Sequence, residues 1–271
     1  MRCKIFYVSF SGNTKRAAER VKQGIETSGH SCELVEMRDV SGDITVDDVK
    51  GCDLLGFMSP VYCFREPSVW RRFLARFPRL ESQPAFIGAS AGGSFGNYFY
   101  RVEKQLAQKG IYSIGTIAIT APRSYVPWNK IEETYDEREL VRAQEFGAKL
   151  FSEYEEIVVQ KKKLLPPINF NLRGAILGSF GGHDKTLRKP LGKILVDEKL
   201  CIKCGICLDN CAWGVIAMAP NETFPQFDIQ KCGGCCACIN LCPKGALRTK
   251  KTQGKIRYRE QNYKGIKKSK A

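Results

Sequence analysis

The feature that most narrows what this chain can become lies near its end, where KCGGCCACINLCPKG at 231–245 places five cysteines in eleven positions. Of thirteen cysteines in 271 residues, nine fall between 201 and 242, and four (Cys3, Cys32, Cys52 and Cys63) are scattered through the first quarter. Crowding on that scale reads as a metal site rather than a disulfide framework. The crowded segment is also a repeat. Cys201, Cys204, Cys207 and Cys211 recur 31 residues later as Cys232, Cys235, Cys238 and Cys242, with Asp197 recurring as Asp228 and Gly214 as Gly245. Each half is C-x2-C-x2-C-x3-C followed by a short helix-like run, so the module is a duplicated unit. In that register Cys236 stands opposite Gly205 and is the surplus thiol. A pair of structural zinc sites is the competing use of C-x2-C, but zinc runs usually pair two ligands and then leave a longer gap.

With eight cysteines in register and Pro243 directly after the last, residues 197–250 resemble a bacterial-type ferredoxin with two [4Fe-4S] clusters. In such proteins the fourth cysteine of each run serves the other cluster. The resemblance therefore implies that Cys201, Cys204, Cys207 and Cys242 hold one cluster, and Cys232, Cys235, Cys238 and Cys211 the second. One departure is that Ala212, not proline, follows Cys211, which restores a backbone N–H beside a ligand sulfur. A module this small has little room for an apolar core, so its clusters must supply much of its stability.

The first 160 residues have a different rhythm. Five strand-like runs, CKIFYV (3–8), SCELVEM (31–37), DLLGFM (53–58), PAFIGAS (84–90) and IYSIGTIAIT (111–120), alternate with segments of helical period. Ala17, Ala18, Val21 and Ile25 mark one such helix and Val69, Phe73, Leu74 and Phe77 another. A last helix is expected from about Thr134 to Val159, with Leu140, Ala143, Gly147, Leu150, Tyr154 and Ile157 on one face. Alternation of this kind predicts a parallel sheet with helices on both faces, a doubly wound domain. SFSGNT (9–14) follows the first strand directly and opens a helix, where small and hydroxylated residues let backbone N–H groups wrap an anion. It has neither the GxxxxGK[ST] of a nucleoside-triphosphate loop nor the GxGxxG of a dinucleotide site.

SFSGNT resembles the phosphate loop of flavodoxins. That resemblance implies an FMN phosphate held by Ser9, Ser11, Asn13 and Thr14, with Gly12 allowing close approach. SPVYCFREP (59–67) and SAGGSFGNY (90–98) are similar to the flavodoxin loops beside the isoalloxazine ring. By the same resemblance Pro60, Val61 and Tyr62 would line the ring, Tyr62 by stacking, and Ala91, Gly92 and Gly93 would offer backbone groups near its pyrimidine edge. The expected architecture is thus α/β: a flavodoxin-like doubly wound five-stranded parallel sheet at 1–160, an irregular connector at 161–196, a small α+β bacterial-type ferredoxin domain at 197–250 and a basic tail at 251–271. Within the connector Ile168, Phe170, Leu172, Ile176 and Leu177 are expected to pack. Anaerobe proteins in which a flavodoxin-like domain precedes a two-cluster ferredoxin share this order.

Charge constrains the partners. The formal net charge is +15, yet residues 1–156 hold 21 basic against 21 acidic residues, and 201–247 three against three. The excess sits at 157–200 (nine against three) and at 248–271 (ten against one). A basic tail of that kind suits an acidic protein, nucleic acid, anionic lipid or a solvated extension. The amino-terminal apolar run is too short for a signal peptide and no run reaches membrane-helix length, so the expectation is a cytoplasmic protein with reduced thiols. Cys3, Cys32 and Cys52 read as small buried hydrophobes, Cys63 as a thiol without an activating base, and His30 and His183 as surface or turn residues. No general acid or nucleophile stands out. The expected role is electron transfer between FMN and the two clusters on behalf of redox partner proteins. Two other readings stay open: a flavin-dependent reductase of a small substrate, and an iron-sulfur redox sensor whose tail binds nucleic acid.

Overall fold

A computed structural model describes the chain except for residues 129–134, 166–167, 169, 182–183, 219–223, 256 and 259–271. The described residues divide into two compact units: Met1–Ser9, Asn13–Ala121 and Tyr135–Gly182 form one, and Phe10–Gly12, Pro122–Thr134 and His183–Ala271 the other.

The first unit alternates strands and helices: β1 (Arg2–Tyr7), α1 (Asn13–Thr27), β2 (Ser31–Glu36), β3 (Leu54–Pro60), α2 (Ser68–Arg76), β4 (Gln83–Ala91), α3 (Tyr98–Ala107), β5 (Ile111–Thr120) and α4 (Glu137–Tyr154). The strands form one sheet in the order β2-β1-β3-β4-β5, with every pair parallel. This is the flavodoxin-type doubly wound order, whose switch point lies between β1 and β3. β3 is buried along its whole length, as a central strand covered on both faces must be. α1 buries Ala17, Ala18, Val21 and Ile25, and α4 buries Leu140, Ala143, Gly147 and Leu150, so the helical periodicities mark the faces that pack. Asp136 caps α4 by accepting from the Arg138 N–H, which starts the helix three residues after its expected beginning. A π-helical turn, Glu155–Val159, extends it to the expected end.

The segment 161–196 is not an irregular connector. It carries α5 (Leu172–Gly181) and α6 (Asp184–Leu191), with α5 in the first unit and α6 in the second. Its apolar side chains pack only in part: Ile168 is half-buried and Phe170 meets the Tyr100 ring edge-on at 5.2 Å, while Leu172, Ile176 and Leu177 are exposed. The reason lies in α5's glycines. A Cβ added at Gly174 would stand 3.0 Å from the Gly96 backbone, and one at Gly178 would stand 3.8 Å from the Phe64 carbonyl. The helix therefore docks by its glycine side and leaves its larger side chains outside. Asn171 and Asn97 fix that docking by exchanging hydrogen bonds, Asn97 Nδ2 to the Asn171 carbonyl and the Asn171 N–H to Asn97 Oδ1, each at 2.8 Å.

In the second unit the repeat becomes an approximate internal two-fold. β6 (Leu195–Val196), ahead of the first half, pairs antiparallel with β9 (Leu247–Arg248), behind the second. β7 (Ile216–Ala217) and β8 (Gln226–Phe227) pair between the halves. The Asp197 N–H donates to the Ala246 carbonyl at 2.8 Å, and 31 residues on the Asp228 N–H donates to the Val215 carbonyl at 2.9 Å. Each half is thereby closed by the other. Short helices α7 (Ile206–Asp209) and α8 (Ala237–Leu241) carry the third cysteine of each run. Among the described residues no helix is long and apolar enough to cross a membrane.

Candidate functional site

The crossed hydrogen bonds decide which thiols can meet. Because the end of the second half returns beside the start of the first, Cys242 stands with Cys201, Cys204 and Cys207 around one cavity, closed by Ile202, Leu208, Pro243 and Leu247. Burial pushes the Cys207 thiol up to about 12, with the neighbouring Cys204 and Cys242 adding to the effect. On the other side burial first, and then Cys232, raises Cys235 well above the usual thiol range, with Cys211 contributing. Burial again leads for Cys238, followed by Cys235, Cys232, Cys236 and Cys211. Two sets of four thiols thus form, 201/204/207/242 and 232/235/238/211. Cys207, Cys232, Cys235 and Cys238 resist ionisation there, because burial disfavours the thiolate and neighbouring thiolates would repel it.

The donor chemistry fits iron-sulfur clusters. Backbone N–H groups point at the sulfurs: Gly234 donates to Cys232 Sγ at 3.3 Å and Ala246 to Cys242 Sγ at 3.2 Å. Such bonds favour the charged sulfur and tune a cluster's potential. Among the described residues no three His, Cys, Asp or Glu side chains are placed to hold a single metal ion, whereas the four thiols spread around a cavity.

Cys236 is buried and adopts φ +63° at the N-terminus of α8, matching Gly205, which has φ +72° at the N-terminus of α7. The surplus thiol thus occupies a left-handed position where glycine is the unstrained residue, at a cost of roughly 1–2 kcal/mol. Its Sγ contacts the Gly234 carbonyl at 3.8 Å. Replacing Cys236 with glycine is expected to leave about eight irons per chain, as two four-iron clusters require; an iron assay showing a loss of half would make Cys236 a ligand. Sequence reading missed Trp213, whose ring lies against Gly233, beside Cys232 of the second thiol set. A Cβ on Gly233, next to Cys232, would meet its ring at 2.0 Å, so only glycine lets the indole lie there. Its Nε1 donates to Asp184 at 3.0 Å and its ring packs on Phe10.

At the carboxyl end of the parallel sheet the loops expected to hold FMN are all present. Ser9, Ser11, Asn13 and Thr14 are buried. Ser9 Oγ is buried with no hydrogen-bond partner, the mark of a group awaiting one. Gly12 has φ +101°, which a side chain would resist. Thr14 Oγ1 and Ser90 Oγ share a hydrogen bond at 2.8 Å, and the Tyr135 hydroxyl donates to the Asn13 carbonyl at 3.2 Å. These features fit a phosphate.

Pro60 ends β3 and Ala91 ends β4, both buried, while Val61 and Tyr62 are half-buried and Gly92 and Gly93 exposed. The Val61 N–H donates to the Ser90 carbonyl, tying the second and third loops together. The second loop is strained. Tyr62 and Arg65 exchange backbone hydrogen bonds around Cys63 (φ +49°) and Phe64 (φ +70°), a tight turn made without glycine. Such strain gathers at ligand clamps. Burial raises the Cys63 thiol, in keeping with an unactivated residue. Cys3 and Cys32 are buried neighbours in the β1–β2 register, Cys52 is half-buried, and His30 packs on Phe151. His183 lies outside the described residues, as does the tail beyond Tyr258.

Comparison with known proteins found similarity in both parts of the chain. Residues 200–246 match the family described as 4Fe-4S dicluster domain. An uncharacterized ferredoxin of Methanocaldococcus jannaschii is 31% identical over 74 residues, covering 27% of this chain and 96% of that protein. Polyferredoxin protein MvhB of Methanothermobacter thermautotrophicus is 35% identical over 71 residues, and there the match spans only 16% of the polyferredoxin's length. Among solved structures, a flavodoxin from the domain Archaea is 17% identical, covering 57% of this chain and 99% of that one with a TM-score of 0.43. The two-electron reduced flavodoxin of Megasphaera elsdenii is 24% identical, covering 54% and 98%, with a TM-score of 0.41. Through its cysteine-rich module this chain belongs to the ferredoxins with two [4Fe-4S] clusters, and that module follows a domain of flavodoxin topology.

Proposed function

We propose that this chain is an electron-transfer protein in which an FMN-binding domain and two [4Fe-4S] clusters exchange electrons and serve other redox proteins. The observation that carries the reading is the gathering of Cys242 with Cys201, Cys204 and Cys207, since a crossed set of four thiols is what a two-cluster carrier requires. When bound, each cluster supplies one-electron exchange, and FMN one- or two-electron exchange. The protein's own residues then have distinct tasks. Cys201, Cys204, Cys207 and Cys242 would ligate one cluster, and Cys232, Cys235, Cys238 and Cys211 the other. The N–H groups of Gly234 and Ala246 would offset charge on the ligating sulfurs, and the Trp213 indole would keep water from the backbone beside Cys232. Ser9, Ser11, Asn13 and Thr14 would hold the FMN phosphate, Gly12 admitting it. Pro60, Val61, Tyr62, Ala91, Gly92 and Gly93 would flank the ring.

Anaerobic purification followed by iron, sulfide and flavin analysis tests this reading, with about eight irons and one FMN per chain expected. A protein that is colourless or carries zinc would sink it. Within the same measurement, Gly12→Val is expected to abolish flavin retention and leave the iron content unchanged, because a β-branched side chain at φ +101° obstructs the loop alone. Flavin retained by that variant would move the phosphate site elsewhere.

A further inference from the structure

A second charged site begins at Arg65 and Glu66, where the 59–67 loop runs into α2, and continues along α2 and α3 of the first unit. Glu66 is fully buried and is approached by three guanidinium groups. Arg101 binds it by a two-pronged contact, Nε to Oε2 at 2.9 Å and Nη2 to Oε1 at 3.0 Å. Arg71 stands 3.8 Å away and Arg65 4.0 Å. One carboxylate against three guanidiniums leaves two positive charges uncompensated. Arg65 shows the cost: its side chain is 11% exposed, and its buried Nε has no hydrogen-bond partner. Burial, and then the nearby Arg101, lower its proton affinity. A desolvated cation left without its partners is expensive unless an anion completes the site.

The surroundings continue the theme. Arg71 and Arg101 line a groove of about 670 Å³ together with Arg79, Lys104 and Lys109, and no carboxylate lines it. Arg79, Lys104 and Lys109 make no ion pair among the described residues, so their charge is unspent within the fold. A smaller cavity of about 110 Å³, reached by Arg65, shares Arg101 and Tyr100 with the groove. Arg101 uses Nε and one terminal nitrogen on Glu66, which fixes its plane and leaves further N–H donors. Planar, pre-oriented guanidiniums match phosphate oxygens, and point-charge lysines extend the match along a chain of phosphates. The groove's volume is that of a small-molecule site rather than a flat protein interface.

We propose that this groove binds a small molecule carrying two or more linked phosphates, with Arg71 and Arg101 around one phosphate and Arg79, Lys104 and Lys109 along the rest. Inorganic tripolyphosphate and ATP share that chemistry, and the experiment separates them. Calorimetric titration of the intact chain, purified anaerobically with its iron, is run with each probe at low and high salt, and repeated on Lys104→Glu/Lys109→Glu. Lys104 is exposed and Lys109 half-buried, and unchanged iron and circular dichroism report that the variant is folded. Saturable one-site binding is expected, weakening at high salt and falling at least about tenfold in the double variant, since charge-assisted contacts are removed. Tighter binding of ATP would identify a nucleotide, and tighter binding of tripolyphosphate a bare polyphosphate. Equal binding by the folded variant would assign the anion affinity to the basic tail and overturn the proposal. Absence of saturable binding would overturn it too, as would groove-dependent binding of polyglutamate or duplex DNA in preference to either probe.

Discussion

Cys242→Ala is expected to abolish the cluster built on Cys201, Cys204 and Cys207, although Cys242 lies far from them in sequence and next to the other run. The cavity that those three thiols line is closed by Cys242, Pro243 and Leu247. Cys211 answers to the opposite set: burial does most to raise the thiols of Cys232, Cys235 and Cys238, and Cys211 adds to each. A pair of double variants separates crossed from uncrossed ligation. Cys242→Ala with Cys201→Ala damages one cluster twice and should leave about four irons per chain, whereas Cys242→Ala with Cys232→Ala damages both and should leave almost none. An uncrossed arrangement reverses the two results. Iron assay with electron paramagnetic resonance of the reduced protein reads the outcome. The effect on stability should be large as well. β6–β9 and β7–β8 are two-residue ladders, so little besides the clusters holds the halves together.

This crossing illustrates how far the letters alone reach. The 31-residue register is written in the cysteines, and it correctly set Cys236 opposite Gly205. That both positions are left-handed is a backbone fact with no signature in a cysteine. In the front domain, apolar runs marked all five strands and helical periods marked the packed faces of α1, α2 and α4, because those residues report directly on burial. The pattern failed at 161–196. α5 packs through Gly174 and Gly178 and exposes its larger apolar side chains, the reverse of the usual amphipathic signal, and α6 contains Pro190. The arginines around Glu66 were invisible for a different reason. Arg65, Arg71 and Arg101 come from separate segments, and in a region of balanced total charge only the fold reveals their local excess.

Gly147→Ala is expected to destabilise the front unit by about 1–2 kcal/mol, and the cause is backbone against backbone. A Cβ at Gly147, on α4, would stand 2.1 Å from the Val21 carbonyl oxygen on α1; one at Gly24, on α1, would stand 1.9 Å from the Gln144 carbonyl oxygen on α4. The two helices therefore meet through reciprocal glycines, closer than any side chain permits. Alanine improves intrinsic helix propensity by roughly 1 kcal/mol at either position. Overpacking of a rigid site costs about 1–3 kcal/mol and occasionally more, and neither obstructing atom is the end of a flexible side chain. The penalty therefore outweighs the gain, and the melting temperature of the front unit should fall by several degrees while the iron content stays constant. Far-ultraviolet circular dichroism during thermal unfolding measures it. Gly24→Ala with Gly147→Ala should cost less than the sum of the two, because helices already forced apart by one methyl make room for the other. Full additivity, or a single variant as stable as the parent, would mean that α1 and α4 do not depend on this close approach.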